Sequence, residues 1–162
     1  SKALTQMFTE AHWGELDYLL IDLPPGTGDI HLSLVQTVPL DGVVIVSTPQ
    51  EVALADARKG INMFKLDSIN VPIIGLVENM AWFTPAELPD NRYYIFGRDG
   101  AKNLAAGMKV PFLGHIPLIQ GVREAGDVGR PAVFQENTIT SNAFDELVRN
   151  FVSQVETVKA KK

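Results

Sequence analysis

A chain of 162 residues, 46% hydrophobic and 20% charged, has the balance of an ordinary globule of one domain, neither disordered nor fibrous. Its formal net charge of -5 argues against a general polyanion-binding role, so nucleic acid is not an expected partner. The absence of cysteine excludes disulfides and thiolate metal sites within the chain and fits a reducing cytoplasm; no apolar run is long enough to cross a membrane, no signal peptide opens the chain, and no membrane partner is expected.

Leu4, Met7, Phe8 and Ala11 recur at helical spacing, so the first dozen residues read as an amphipathic helix that Gly14 ends. Residues 17–23 (Asp17-Tyr18-Leu19-Leu20-Ile21-Asp22-Leu23) read as a fully buried strand ending in a carboxylate. Pro24 and Pro25 have no N–H for a ladder and stop it. Gly26-Thr27-Gly28 then allows a turn at positive φ or a close backbone approach. Open parallel sheets bind ligands at the C-terminal edge of their strands, which puts Asp22 at a candidate site. A carboxylate beside an amide-rich loop suits a Mg²⁺-nucleotide. The plainer alternative is a tight strand-to-helix connection in which Asp29 caps the next helix, and spacing alone does not separate the two.

That helix carries Leu32, Leu34 and Val35 and stops at Pro39. Val43-Val44-Ile45-Val46 is a β-branched run expected in a parallel sheet covered on both faces, ending at Ser47-Thr48-Pro49-Gln50. A helix over residues 51–66 follows, then a strand over 71–77 ending in Glu78-Asn79-Met80. Residues 81–98 hold Trp82, Phe83, Pro85, Pro89, Tyr93, Tyr94 and Phe96, and read as an irregular surface excursion whose aromatics pack locally or meet a partner. A short helix over 100–107, a fourth strand over 110–116 ending at Pro117-Leu118, a loop and short helix over 121–129, and a final helix over 141–159 complete the chain. The alternation predicts an α/β fold: a parallel sheet of about four strands with right-handed crossovers and helices on both faces, in one domain over residues 1–162. Asp22, Thr48 and Asn79 should then converge on one edge. His12, His31 and His115 are far apart and read as surface or satisfied imidazoles, and Arg123 with Asp127 as a structural ion pair.

Taken together, Asp22-Leu23-Pro24-Pro25-Gly26-Thr27-Gly28-Asp29, the segment from Ser47-Thr48-Pro49-Gln50 to Asp56, Glu78-Asn79-Met80 and Ile95-Phe96-Gly97 resemble the Mrp (ApbC) family over essentially the whole chain. These are P-loop ATPases related to MinD and ParA that carry and insert iron–sulfur clusters. The resemblance implies a partial P-loop NTPase of three layers. It makes Asp22 the Walker B carboxylate that reaches Mg²⁺ through water, and Gly26 part of a switch loop sensing the γ-phosphate. It makes Asn79 the reader of the adenine, with Pro117 and Leu118 bordering the base and Thr48-Pro49 lining the crevice. It further implies ATP and Mg²⁺ as cofactors, a homodimer switched by nucleotide, a client apoprotein, and a cytoplasmic setting.

Two departures qualify that picture. No Gly-x-x-x-x-Gly-Lys-Ser/Thr loop occurs in the chain, so it resembles the C-terminal part of such an ATPase domain, and hydrolysis by this piece alone is not expected. Where the family has Cys-x-x-Cys, this chain reads Phe83-Thr84-Pro85-Ala86-Glu87, a poor set of ligands for an iron–sulfur cluster. The alternative is a switch or adaptor that carries no cluster and binds a protein through the aromatic excursion.

Overall fold

The computed structural model describes residues 2–135 and 138–161, with side chains from residue 6 onward. Three parallel strands, β1 (Val43–Ser47), β2 (Ile73–Phe83) and β3 (Phe112–Leu118), lie side by side in that order. Each is joined to the next through a helix: α3 (Glu51–Phe64) between β1 and β2, and α4 (Gly100–Met108) between β2 and β3. Upstream lie α1 (Lys2–Thr9) and α2 (Asp29–Thr37); downstream lie α5 (Gln120–Asp127), a 3-10 turn (Ala132–Phe134) and α6 (Ile139–Lys159).

Two apolar layers sandwich the sheet. On one face Leu54, Ala57 and Ile61 of α3 meet Leu76 of β2 and Ala101, Leu104 and Ala105 of α4. On the other, Ile74, Val77, Leu113 and Ile116 pack against Phe144, Leu147, Phe151 and Val155 of α6. This is the three-layer α/β arrangement expected of a βαβ rhythm. Small residues allow close approach within the sheet and of a helix onto it. A Cβ on Gly75 would stand 2.6 Å from Leu113 Cγ, and one on Gly100 only 2.5 Å from the Pro49 carbonyl oxygen.

Three expectations are corrected. Residues 17–23 form no strand: the segment is irregular and largely exposed, with Leu20 78% accessible. A strand is stabilised by a neighbour that shares its ladder, and none of β1, β2 and β3 pairs with this segment. The sheet of the described residues therefore has three strands instead of four. Second, β1 is covered on one face only. Ile45 packs into the α3 layer, whereas Val44 and Val46 stand 36% and 59% exposed on the other side. Third, the strand expected to end near Val77 continues to Phe83. It is interrupted where Met80 adopts φ 54 and the pairing with β3 slips between Asn79 and Phe83. Past that kink the aromatic excursion folds back, with an antiparallel bridge between Phe83 and Tyr93. The first helix is present, though Leu4 of its apolar stripe lies outside the described side chains, and Gly14 follows at φ 69. At α2, Gly28 holds the N-cap position with no side-chain cap; Asp29 is instead the first helical residue, placed where a carboxylate suits the dipole.

Candidate functional site

Parallel register aligns three strand ends. Ser47 pairs with Glu78, and Asn79 pairs with Ile116. Thr48, the residue after β1, and Pro117, the residue after Ile116 on β3, therefore lie near Asn79 at the same edge of the sheet. It is the C-terminal edge, where open α/β sheets take their ligands.

Each of these residues has its own surroundings. Asn79 is half-buried, and its Oδ1 accepts the Met80 N–H at 3.0 Å, the donor that the positive-φ kink removes from the ladder. That bond fixes the amide and leaves Nδ2 without a hydrogen-bond partner among the described residues. Thr48 Oγ1 donates to Gln50 Oε1 at 3.4 Å. Pro49 is buried, and its carbonyl faces the glycines Gly97 and Gly100 at the start of α4. It thus seats a helix on the sheet. Pro117 is buried and Leu118 half-buried at the end of β3.

Asp22 and Gly26 are placed differently. Both lie on the exposed irregular stretch before α2, and Gly26 turns at φ 100 with open space around it. The positive φ is the glycine-dependent turn that the sequence foretold. Tyr18 of the same stretch lies 6.0 Å from the Phe151 ring of α6. The residues present fit the base-facing side of a nucleotide pocket and supply only a part of its Mg²⁺-phosphate side. That part is one exposed carboxylate, Asp22, and the sequence holds no lysine-bearing glycine loop to go with it. No hydrolytic step follows from these residues by themselves.

The chain matches the family model described as ParA, NUBPL iron-transfer P-loop NTPase, over residues 1–152. It belongs to that family. Among curated relatives of this NUBPL-type chain, an iron-sulfur cluster carrier protein of Synechocystis sp. is 44% identical over 153 residues, 94% of this chain and 43% of the relative. The iron-sulfur cluster transfer protein NUBPL of Mus musculus is 47% identical over 134 residues, 83% of this chain and 41% of the relative. Among solved structures, a nucleotide-binding protein of Archaeoglobus fulgidus, described in complex with ADP and with Co, superposes with TM-score 0.69 at 42% identity, covering 79% of this chain and 52% of that one. The cell division ATPase MinD of Pyrococcus furiosus gives TM-score 0.64 at 22% identity and shares the fold. The NUBPL-type chain thus spans about half the length of the relatives it matches.

Sequence reasoning overlooked a second group. His115, read as an isolated imidazole, lies on β3 against the buried Glu78 of β2 and against Asp99, which precedes α4. They border a cavity of about 570 Å³, together with Trp82, Arg92 and Glu146. The family motif had singled out Asn79, yet it is the neighbouring Glu78 that is 1% exposed and fully committed to the interior.

Proposed function

We propose that this chain forms the base-binding portion of a nucleotide-dependent switch that delivers iron or an iron–sulfur cluster to client proteins. The observation that carries the reading is the alignment of Thr48, Asn79 and Pro117 along one strand edge, in a chain of the NUBPL iron-transfer P-loop NTPase family. The ADP named for the Archaeoglobus fulgidus relative supports an adenine nucleotide as the ligand. In this reading the Asn79 Nδ2 group donates to an acceptor on the base while its Oδ1 stays on Met80 N–H, and Pro117 and Leu118 supply an apolar wall. In the protein as its gene encodes it, Asp22 takes the Mg²⁺-water role and Gly26 the switch turn. Hydrolysis serves conformational change in a homodimer rather than chemistry on a client. In-line attack on a γ-phosphate needs positioning and charge neutralisation, so a loop that moves with the phosphate is the natural transmitter.

The cluster is cargo here, and this chain brings no thiolate to it. Ligands for a cluster would therefore come from a client or from another part of the protein. The test is nucleotide titration of the whole protein as its gene encodes it. Asn79→Ala should weaken ADP roughly tenfold, about 1.4 kcal/mol. Asp22→Ala should abolish Mg²⁺-dependent turnover while sparing ADP affinity. Unchanged ADP binding in Asn79→Ala would remove the base-reading role.

A further inference from the structure

Glu78, Asp99 and His115 come from three different elements and bring one donor atom each within 4.8 Å of the others. His115 Nε2 lies 3.2 Å from Asp99 Oδ1 and 3.7 Å from Glu78 Oε1. Zinc-type bonds to imidazole nitrogen and carboxylate oxygen run to about 2.0–2.2 Å, which puts tetrahedral ligands roughly 3.3–3.5 Å apart. Two edges of the donor triangle already straddle that spacing. The third, between the two carboxylates, is no longer than 4.8 Å.

An independent feature points to an occupant. Glu78 is 1% exposed, and one of its oxygens, Oε2, accepts the Ala101 N–H at 2.7 Å. The other, Oε1, lies 3.7 Å from His115 Nε2, an ion-pair distance longer than a hydrogen bond. A fully buried carboxylate at a cavity wall is costly to desolvate, and a cation in that cavity would offset the cost. Two of the three Lys and Arg side chains that line the same cavity are turned to other partners, and Lys102 is the third. The Arg92 guanidinium lies 4.2 Å over the Trp82 ring, and that of Arg98 lies 4.8 Å over Tyr94. Arg98 Nε also stands 3.5 Å from Asp99 Oδ2, which turns Oδ1 toward His115. Outer contacts that orient a ligand in this way are characteristic of metal sites. The imidazole is braced on the other side by Phe112, edge-on at 4.8 Å.

We propose that Glu78, Asp99 and His115 bind one divalent first-row transition cation of the zinc, cobalt or iron(II) class, with an open coordination position facing the cavity. One imidazole with two carboxylates suits these cations better than Cu(I), which favours sulfur. Three protein ligands leave a position for water or an exchangeable donor, the arrangement of a site that exchanges its ligand and not of a closed structural one. The site would give a chain without cysteine a means of holding a metal ion on its own residues. The inference rests on the donor triangle and not on the nucleotide reading.

The test is calorimetric titration of the metal-stripped whole protein with Co²⁺, alongside anomalous diffraction from Co²⁺-soaked crystals. One Co²⁺ per chain at this triangle is expected, with binding weakened at least tenfold in His115→Ala and in Asp99→Asn. His12→Ala, distant in sequence and exposed, serves as the control and keeps wild-type affinity. Asp99 precedes the helix and is half-exposed, so Asp99→Asn remains informative if His115→Ala fails to fold. ADP affinity, measured on the same samples, should be unaltered by either substitution, whereas Asn79→Ala should alter ADP affinity and leave Co²⁺ alone; the two readings therefore fail separately. No Co²⁺ binding, wild-type Co²⁺ affinity in both variants, or anomalous density only elsewhere would each overturn the assignment.

Discussion

At Asn79 the side chain meets two demands at once. Its oxygen satisfies the Met80 N–H at a kink with φ 54, and its nitrogen is left for a ligand. Asn79→Ala should therefore cost stability as well as nucleotide affinity, about 1 kcal/mol for an N–H left unpaired. Chemical denaturation of the whole protein without nucleotide checks the first effect separately from the second. Asn79→Asp keeps the acceptor for Met80 and removes the donor, so it should restore stability without restoring ADP affinity. At this scale the motif was legible because Glu78-Asn79-Met80 is local. The Glu78–Asp99–His115 group was not, because His115 and Asp99 stand 16 positions apart and meet only once β2, α4 and β3 are packed. Single imidazoles carry no spacing signal of their own. Arg123 behaves as its sequence context indicated: it pairs with Asp127 one turn along α5, and both are well exposed, so removing the pair should change stability by less than about 0.5 kcal/mol.

Among the elements, the regular ones followed from periodicity and punctuation. Val43–Ser47, Glu51–Phe64 and Gly100–Met108 lie close to their expected limits because each is an unbroken apolar run or stripe bounded by Pro or Gly. The apolar residues 17–23 carry the same local signal and yet stay irregular. A strand is a property of a pair, and composition cannot supply the partner. The α6 start was expected at residue 141 and lies at Ile139, because Thr138 is the N-cap. Its Oγ1 accepts Ser141 N–H at 3.0 Å, and Ser141 Oγ accepts Thr138 N–H at 3.0 Å. Reciprocal capping by two hydroxyl residues imitates the usual Ser/Thr-to-Glu box, which is the pattern a sequence reader looks for. Thr138→Ala should destabilise the fold by about 1 kcal/mol, read as a shift in the denaturant midpoint at constant slope. Leu76→Ala, at the centre of the α3–α4 layer and 0% exposed, should cost roughly 2–5 kcal/mol in the same assay.

Across the whole molecule the sheet is asymmetric. α6 covers β2 and β3, while Val44 and Val46 of β1 and the residues around Leu19 and Leu20 present apolar surface to solvent. The relatives are about twice as long as the stretch matched here. In a protein of that length, the open side of β1 is the natural seat for further secondary structure, since parallel sheets are stable when both faces are covered. Val46→Lys should accordingly leave the unfolding midpoint of the 162-residue chain nearly unchanged and lower that of a protein of the relatives' length by about 2 kcal/mol. Equal effects in the two would show that β1 is an edge in both.

The contact between Pro49 and the start of α4 has a consequence of its own. A methyl group on Gly100 would stand 2.5 Å from the Pro49 carbonyl oxygen and 2.8 Å from Leu54 Cδ1, so Gly100→Ala must lift the helix off its seat. Asp99 is the residue immediately before, and would be carried along. A hydrogen atom, at a position with no chemistry of its own, thereby sets the spacing between a carboxylate at a helix start and an imidazole on a strand, held by the one side chain small enough to permit it.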